Sequence, residues 1–204
     1  MKTEFSLPEI NHLICAADGI EDPSVRNGRY QKLRVLYQKG LLPPINEVSR
    51  GKVAKYTLAR VCEASIAMEL TRKGVTDNLL RQILADIRDG ETGHRHKLPE
   101  GMINPEIWNF DNAIQSIWTH GQIWLLSIWT FDQPDDSSNA WSIVHPTSDG
   151  LLEEDIQLRA RVFLPEQFAG TDRLGKPGLR YTIDLRQHTF PLMNEIVGQY
   201  GNND

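Results

Sequence analysis

The sequence predicts an α+β fold: an all-helical domain over residues 1–88, a linker over 89–104, and a small α+β domain with an antiparallel sheet over 105–204. Three observations carry that reading. Apolar residues recur at helical spacing through the first stretch. Breakers crowd the second, with Gly90, Gly93, Pro99 and Gly101. Alternating patterns rich in β-branched and aromatic residues mark the third. The 204 residues are 40% hydrophobic and 24% charged, enough for a core and too apolar for wholesale disorder. No run of 18 apolar residues occurs, and the opening MKTEFSLPEI lacks the apolar stretch of a signal peptide. A cytoplasmic chain without a membrane partner is expected. Two cysteines, Cys15 and Cys62, are too few for a disulfide framework or a four-cysteine zinc site.

Ser6 caps a first helix, with Pro8 in the first turn and Glu9 completing a capping box. Ile10, Leu13, Ile14 and Ala17 follow at helical spacing until Asp18-Gly19. After a linker containing Pro23, a second helix is expected over 25–39. At 100° per residue, Tyr30, Leu33, Leu36 and Tyr37 gather on one side. Lys32, Val35 and Lys39 fall opposite, flanked by Gln31, Arg34 and Gln38. Gly40 ends that helix and Leu41-Leu42-Pro43-Pro44 leaves it extended. Residues 48–56 read as a basic hairpin turning at Arg50-Gly51. Helices over about 57–73 and 77–88 follow, with Cys62 on an apolar face as a small core residue. The order amounts to a winged helix-turn-helix layout.

The charge agrees with that layout. The whole chain is net −5, from 22 basic and 27 acidic residues. Residues 1–96 hold 15 Lys and Arg against 12 Asp and Glu, whereas residues 97–204 hold 7 against 15. Between Ser24 and Arg60, nine basic residues stand against the single acid Glu47. Such a stripe suits a phosphate-backbone ligand, because each paired phosphate releases counterions; a plain solvated face would carry the same charges.

The string from Leu33 through Arg34-Val35-Leu36-Tyr37-Gln38-Lys39 to Gly40-Leu41-Leu42-Pro43 resembles the recognition helix and exit of the MerR-type transcription regulators. The likeness runs on through Gly51 to Tyr56, similar to that family's wing, and through Arg72-Lys73-Gly74-Val75-Thr76, covering about residues 6–88. Val35 and Leu36 stand where the family has paired tyrosines, and its long dimer helix has no counterpart across Asp89-Gly90-Glu91-Thr92-Gly93. The resemblance implies double-stranded DNA as partner and a nucleoid-associated regulator of bacterial or phage-like type; because a single such module binds weakly, a homodimer on a two-fold site, paired through the C-terminal domain, is expected. It places Arg34 beside the groove and Lys52 and Lys55 in the wing, near phosphate. Arg26, Arg29 and Lys32 join them on charge, Arg50 and Tyr56 are further wing contacts, and phosphate contacts are expected from most of these, with base reading from a few among Gln31, Arg34 and Val35.

In the second half, Asn104-Pro105-Glu106 can open a helix reaching about Thr119, although Ala113 to Trp118 also reads as strand. Gln122 to Phe131 is apolar on both parities, the mark of a buried strand. Trp141 to His145 reads as a short strand, Ile156 to Leu164 alternates, and Tyr181, Ile183 and Leu185 repeat the pattern. Thr189 is the expected cap of a last helix with Leu192, Met193, Ile196, Val197 and Tyr200 inward. All five tryptophans fall between Trp108 and Trp141. They either complete a small core or, at Trp118, Trp124, Trp129 and Trp141, offer a pocket or partner surface for a small-molecule effector or a protein. His94 and His96 lack a third ligand nearby, and the acidic loop at Asp132, Asp135 and Asp136 reads as a solvated turn, so no metal or other cofactor is expected. No G-x-S-x-G, P-loop, G-x-G-x-x-G or H-E-x-x-H motif occurs, and the chain is not read as an enzyme. A sequence-specific transcription regulator is the leading expectation. Two others stay open: an architectural or recombination-directionality protein that shapes DNA, and a small-molecule-binding module with auxiliary helices.

Overall fold

A computed structural model of the chain describes residues 2–46, 52–92, 105, 107–132, 138–146 and 176–201. Arg50 with the expected turn of the wing, the histidines of the linker, Asp135 and Asp136, and the alternating segment Ile156 to Leu164 lie outside them. Within them the fold is α+β, with six helices and a three-stranded antiparallel sheet.

Helix α1 (Leu7–Ala17) starts as expected at Ser6, whose amide and hydroxyl both donate to the Glu9 carboxylate at 2.8 and 2.7 Å. Burial opposes ionisation of Glu9, yet hydrogen bonds from Lys2 and Ser6 and the Lys2 charge pull its carboxyl down to about 2. Helix α2 (Pro23–Gln38) begins at Asp22, which accepts from the Ser24 amide at 2.7 Å, with Pro23 in the first turn. Its inner face buries Leu33 and Leu36, with Tyr30 and Tyr37 half-buried beside them. Gly40, at φ 67°, takes the left-handed conformation that ends the helix. Leu41 and Leu42 then turn into the core.

Two further helices, α3 (Leu58–Arg72) and α4 (Asp77–Asp89), are capped by Thr57 and Thr76. Cys62 is fully buried on α3, and burial pushes its thiol well above the ordinary range. After α4, Gly90 at φ 69° leads into a two-residue strand β1 (Glu91–Thr92) that pairs with β2 (Ile107–Trp108). No side chain fits at Gly90: a Cβ there would lie 2.6 Å from Asn109 Cβ and 2.7 Å from the Trp108 carbonyl. Helix α5 (Phe110–His120) is capped by Asn109, not Asn104, because Ile107 and Trp108 are spent on strand pairing.

The sheet has the order β4-β3-β5, formed by β3 (Trp124–Asp132), β4 (Ser138–Pro146) and β5 (Lys176–Asp184). Leu126 opposes Val144 on one side and Ile183 on the other. Leu126, Ser127 and Ile128 are all buried, as a central strand covered on both faces requires. Ser127 Oγ lies 3.1 Å from His145 Nε2 inside the sheet. The last helix, α6 (Leu185–Tyr200), is capped by Asp184, and Thr189, the expected cap, is a buried residue within it. Val197 is exposed rather than inward, whereas Tyr200 meets the Phe5 ring edge-on at 6.1 Å.

Both halves contribute to one buried apolar cluster extending from Phe5 to Ile196. Helix α4 lies along the edge strand β4, where Gln82 accepts from the Ala140 amide at 2.7 Å and Asp86 from the Ser142 amide at 3.0 Å. These side chains satisfy strand donors that the sheet itself leaves open. Burial raises the Asp86 carboxyl while the Ser142 bonds work against that rise.

Candidate nucleic-acid interface

Helix α2 contains no Asp or Glu. With its apolar stripe packed inward, the opposite stripe of Gln31, Lys32, Arg34 and Val35 is exposed, Val35 by 43%. An aliphatic side chain that exposed adds nothing to the core, but it can contact a thymine methyl. Along one flank Gln31 donates to Asn27 at 3.5 Å and Arg34 donates to Gln31 at 3.4 Å. These are long bonds between side chains that share donors and acceptors suited to base edges.

The cations of the basic stripe separate into two groups. Arg26 donates through Nε to the Ile20 carbonyl at 2.8 Å, and Arg29 is paired with Asp18, so both are turned toward α1. Lys39 pairs with Asp77, and Arg60 with the buried Glu63 and, at 3.9 Å, with Asp111. Lys32, Arg34, Lys52 and Lys55 make no ion pair among the described residues. Of the eight described cations of the stripe, the uncommitted ones are thus these four, on α2 and on the segment before α3. Lys32 also lines a cleft of about 100 Å³ with Asp18, Arg29, Glu69, Arg72 and His188.

The segment after α2 returns on itself. The Ile45 amide donates to the Lys55 carbonyl at 2.9 Å, and Asn46 accepts from the Lys55 amide at 2.7 Å while donating to the Val53 carbonyl at 3.1 Å. These bonds close a loop whose tip lies outside the described residues. Lys52 and Val53 are exposed and Lys55 is half-buried. Tyr56 corrects the sequence reading. It is fully buried and bridges to Phe5 through backbone bonds of 2.9 Å, so it anchors the loop from beneath and cannot touch a ligand. Burial, helped by the neighbouring Tyr37 phenol, pushes the Tyr56 hydroxyl up to about 12.

The tryptophans do not form one surface. Trp124 is fully buried and meets the buried Trp108 edge-on, with ring centroids 6.4 Å apart and planes at 87°, which removes it from any ligand surface. Trp118 is half-buried against the core. Trp129 and Trp141 are cross-strand partners in the β3–β4 register, and their side chains lie outside the described set. The sequence reading passed over Ser24, Asn27 and Gly28 on the exposed face of α2. Their angular position one and two turns before Gln31 and Lys32 was the available signal. No protein-family model and no curated protein matches the chain.

Proposed function

We propose that the protein is a sequence-specific regulator that binds double-stranded DNA, with α2 in the major groove and the loop closed at Lys55 against the adjacent phosphates. The observation that carries this reading is the exposed face of α2, free of acids, where Lys32 and Arg34 have no carboxylate partner among the described residues beside Gln31 and Val35. A helix presenting amides, a guanidinium and one aliphatic group above a packed apolar stripe has the chemistry of base-edge reading. Lys52 and Lys55 supply backbone contacts that position the helix without reading sequence. One helix of this size holds few base contacts, so a two-fold site occupied by two copies is part of the proposal.

Arg34→Ala is expected to weaken binding to a selected duplex by about 1–3 kcal/mol and to relax base preference at one position. Lys52→Ala should weaken all duplexes alike and make the salt dependence shallower, by about one unit of slope. Gel-shift titrations at two or more salt concentrations separate the two effects. An Arg34→Ala protein with unchanged affinity and unchanged preference overturns the assignment of α2 as the reading helix.

A further inference from the structure

Gly28 sits in the interior of α2, at a place where the fold gives no reason for glycine. Its φ is not positive, and a Cβ built there has no atom within 4 Å. Glycine in an exposed helix interior costs stability relative to alanine, because the unfolded chain loses more backbone freedom on folding. What the missing side chain does supply is a bare stretch of helix backbone. At 100° per residue Gly28 lies at the centre of the exposed stripe, within about 60° of Val25, Gln31, Lys32 and Val35.

We propose that Gly28 sets the docking depth of α2, letting the helix backbone come into van der Waals contact with the base edges on the floor of the major groove. This rests on the DNA-binding reading above and adds to it a determinant of close approach. The occupant follows from the chemistry around the notch. The helix carries no acid, Lys32 lies one turn further on with no carboxylate partner among the described residues, and Gln31 offers amide groups beside it. A polyanion with hydrogen-bonding edges fits that surface, and an acidic or apolar protein face would use only part of it. The early position in the helix agrees, since the N-terminal turns of a recognition helix go deepest into the groove. A methyl group added at the deepest point would lift the helix and lengthen the contacts made by Gln31, Lys32 and Val35 together.

The test uses two alanine variants with matched chemistry. Gly198, within α6, is likewise exposed, with no positive φ and no atom within 4 Å of a built Cβ. Gly28→Ala and Gly198→Ala should each raise the thermal midpoint, by about 1–4 °C. Only Gly28→Ala should lose affinity for the duplex selected by the parent protein, by roughly tenfold or more in a fluorescence-anisotropy titration. Three results overturn the inference: Gly28→Ala binding within twofold of the parent, Gly28→Ala lowering the midpoint, or an equal affinity loss in Gly198→Ala. A parent protein that binds no duplex overturns the DNA reading and this inference with it, whereas equal affinities in parent and Gly28→Ala overturn this inference alone.

Discussion

Trp124→Ala is expected to destabilise the protein by about 3–5 kcal/mol in a urea unfolding series. Trp124 opens the central strand β3, is fully buried, and lies edge-on to Trp108, which pairs through β2 with β1 directly after α4. Removing it deletes the largest fully buried side chain among the described residues, at a point where the helices and the sheet share their core. Its ring partner Trp108 is held by the pairing of β2 with β1, which limits collapse into the space. Trp124→Phe separates volume from polarity. The indole Nε1 has no hydrogen-bond partner among the described residues, so phenylalanine gives up only part of the volume and no bond. That variant should cost about 1–2 kcal/mol. A loss under 1 kcal/mol for the alanine variant would mean that Trp124 faces solvent or a ligand.

Glu63→Gln is expected to cost about 3 kcal/mol, far more than its near-identical shape suggests. Glu63 on α3 is fully buried and pairs with Arg60 and with Arg88 of α4, the second contact including a 3.2 Å bond from Arg88 Nε. The side chains of Arg60 and Arg88 are only 17% and 20% exposed, so neutralising the acid leaves two cations that water reaches poorly. Arg88 also donates to the Leu41 carbonyl, in the turn that leaves α2. The network thus fixes the exit of α2 as well as the packing of α3 on α4. The pair between Lys39 and Asp77, with side chains 44% and 53% exposed, provides the contrast: Lys39→Ala should cost less than about 1 kcal/mol. Comparable losses in Glu63→Gln and Lys39→Ala would show that burial of the acid is not what makes the network matter.

The first four helices were legible because each is announced locally. Ser6 with Glu9 marks a start, the spacing of Leu33 and Leu36 marks an inner face, and Gly40 marks a stop. The apolar run of the central strand was legible for the same reason, and Trp124, Leu126, Ser127 and Ile128 are buried there. What could not be read was long-range. Arg60 counted toward the basic stripe until the buried acid three residues on claimed it, and nothing in the local pattern says that Glu63 points inward. The seam between α4 and β4 rests on Gln82 and Asp86 meeting strand amides more than 50 residues away, a pairing that leaves no period in the sequence. The start of α6 was placed too late because Tyr181, Ile183 and Leu185 continue an alternation that the backbone abandons at Asp184. At the candidate interface the exposed residues of α2 followed from helical geometry alone. Tyr56 did not, since an aromatic residue beside two lysines looks the same whether it caps a loop or anchors it.

In the proposed function, uncommitted cations on α2 and the following loop hold a DNA duplex whose sequence α2 reads. Its most direct test is the affinity of the purified protein for duplexes enriched from a randomised pool, measured between 50 and 200 mM salt. The expected result is a defined consensus with two-fold symmetry and an affinity that falls steeply and linearly on a logarithmic salt scale. A pool without enrichment, or an affinity that does not change with salt, contradicts it.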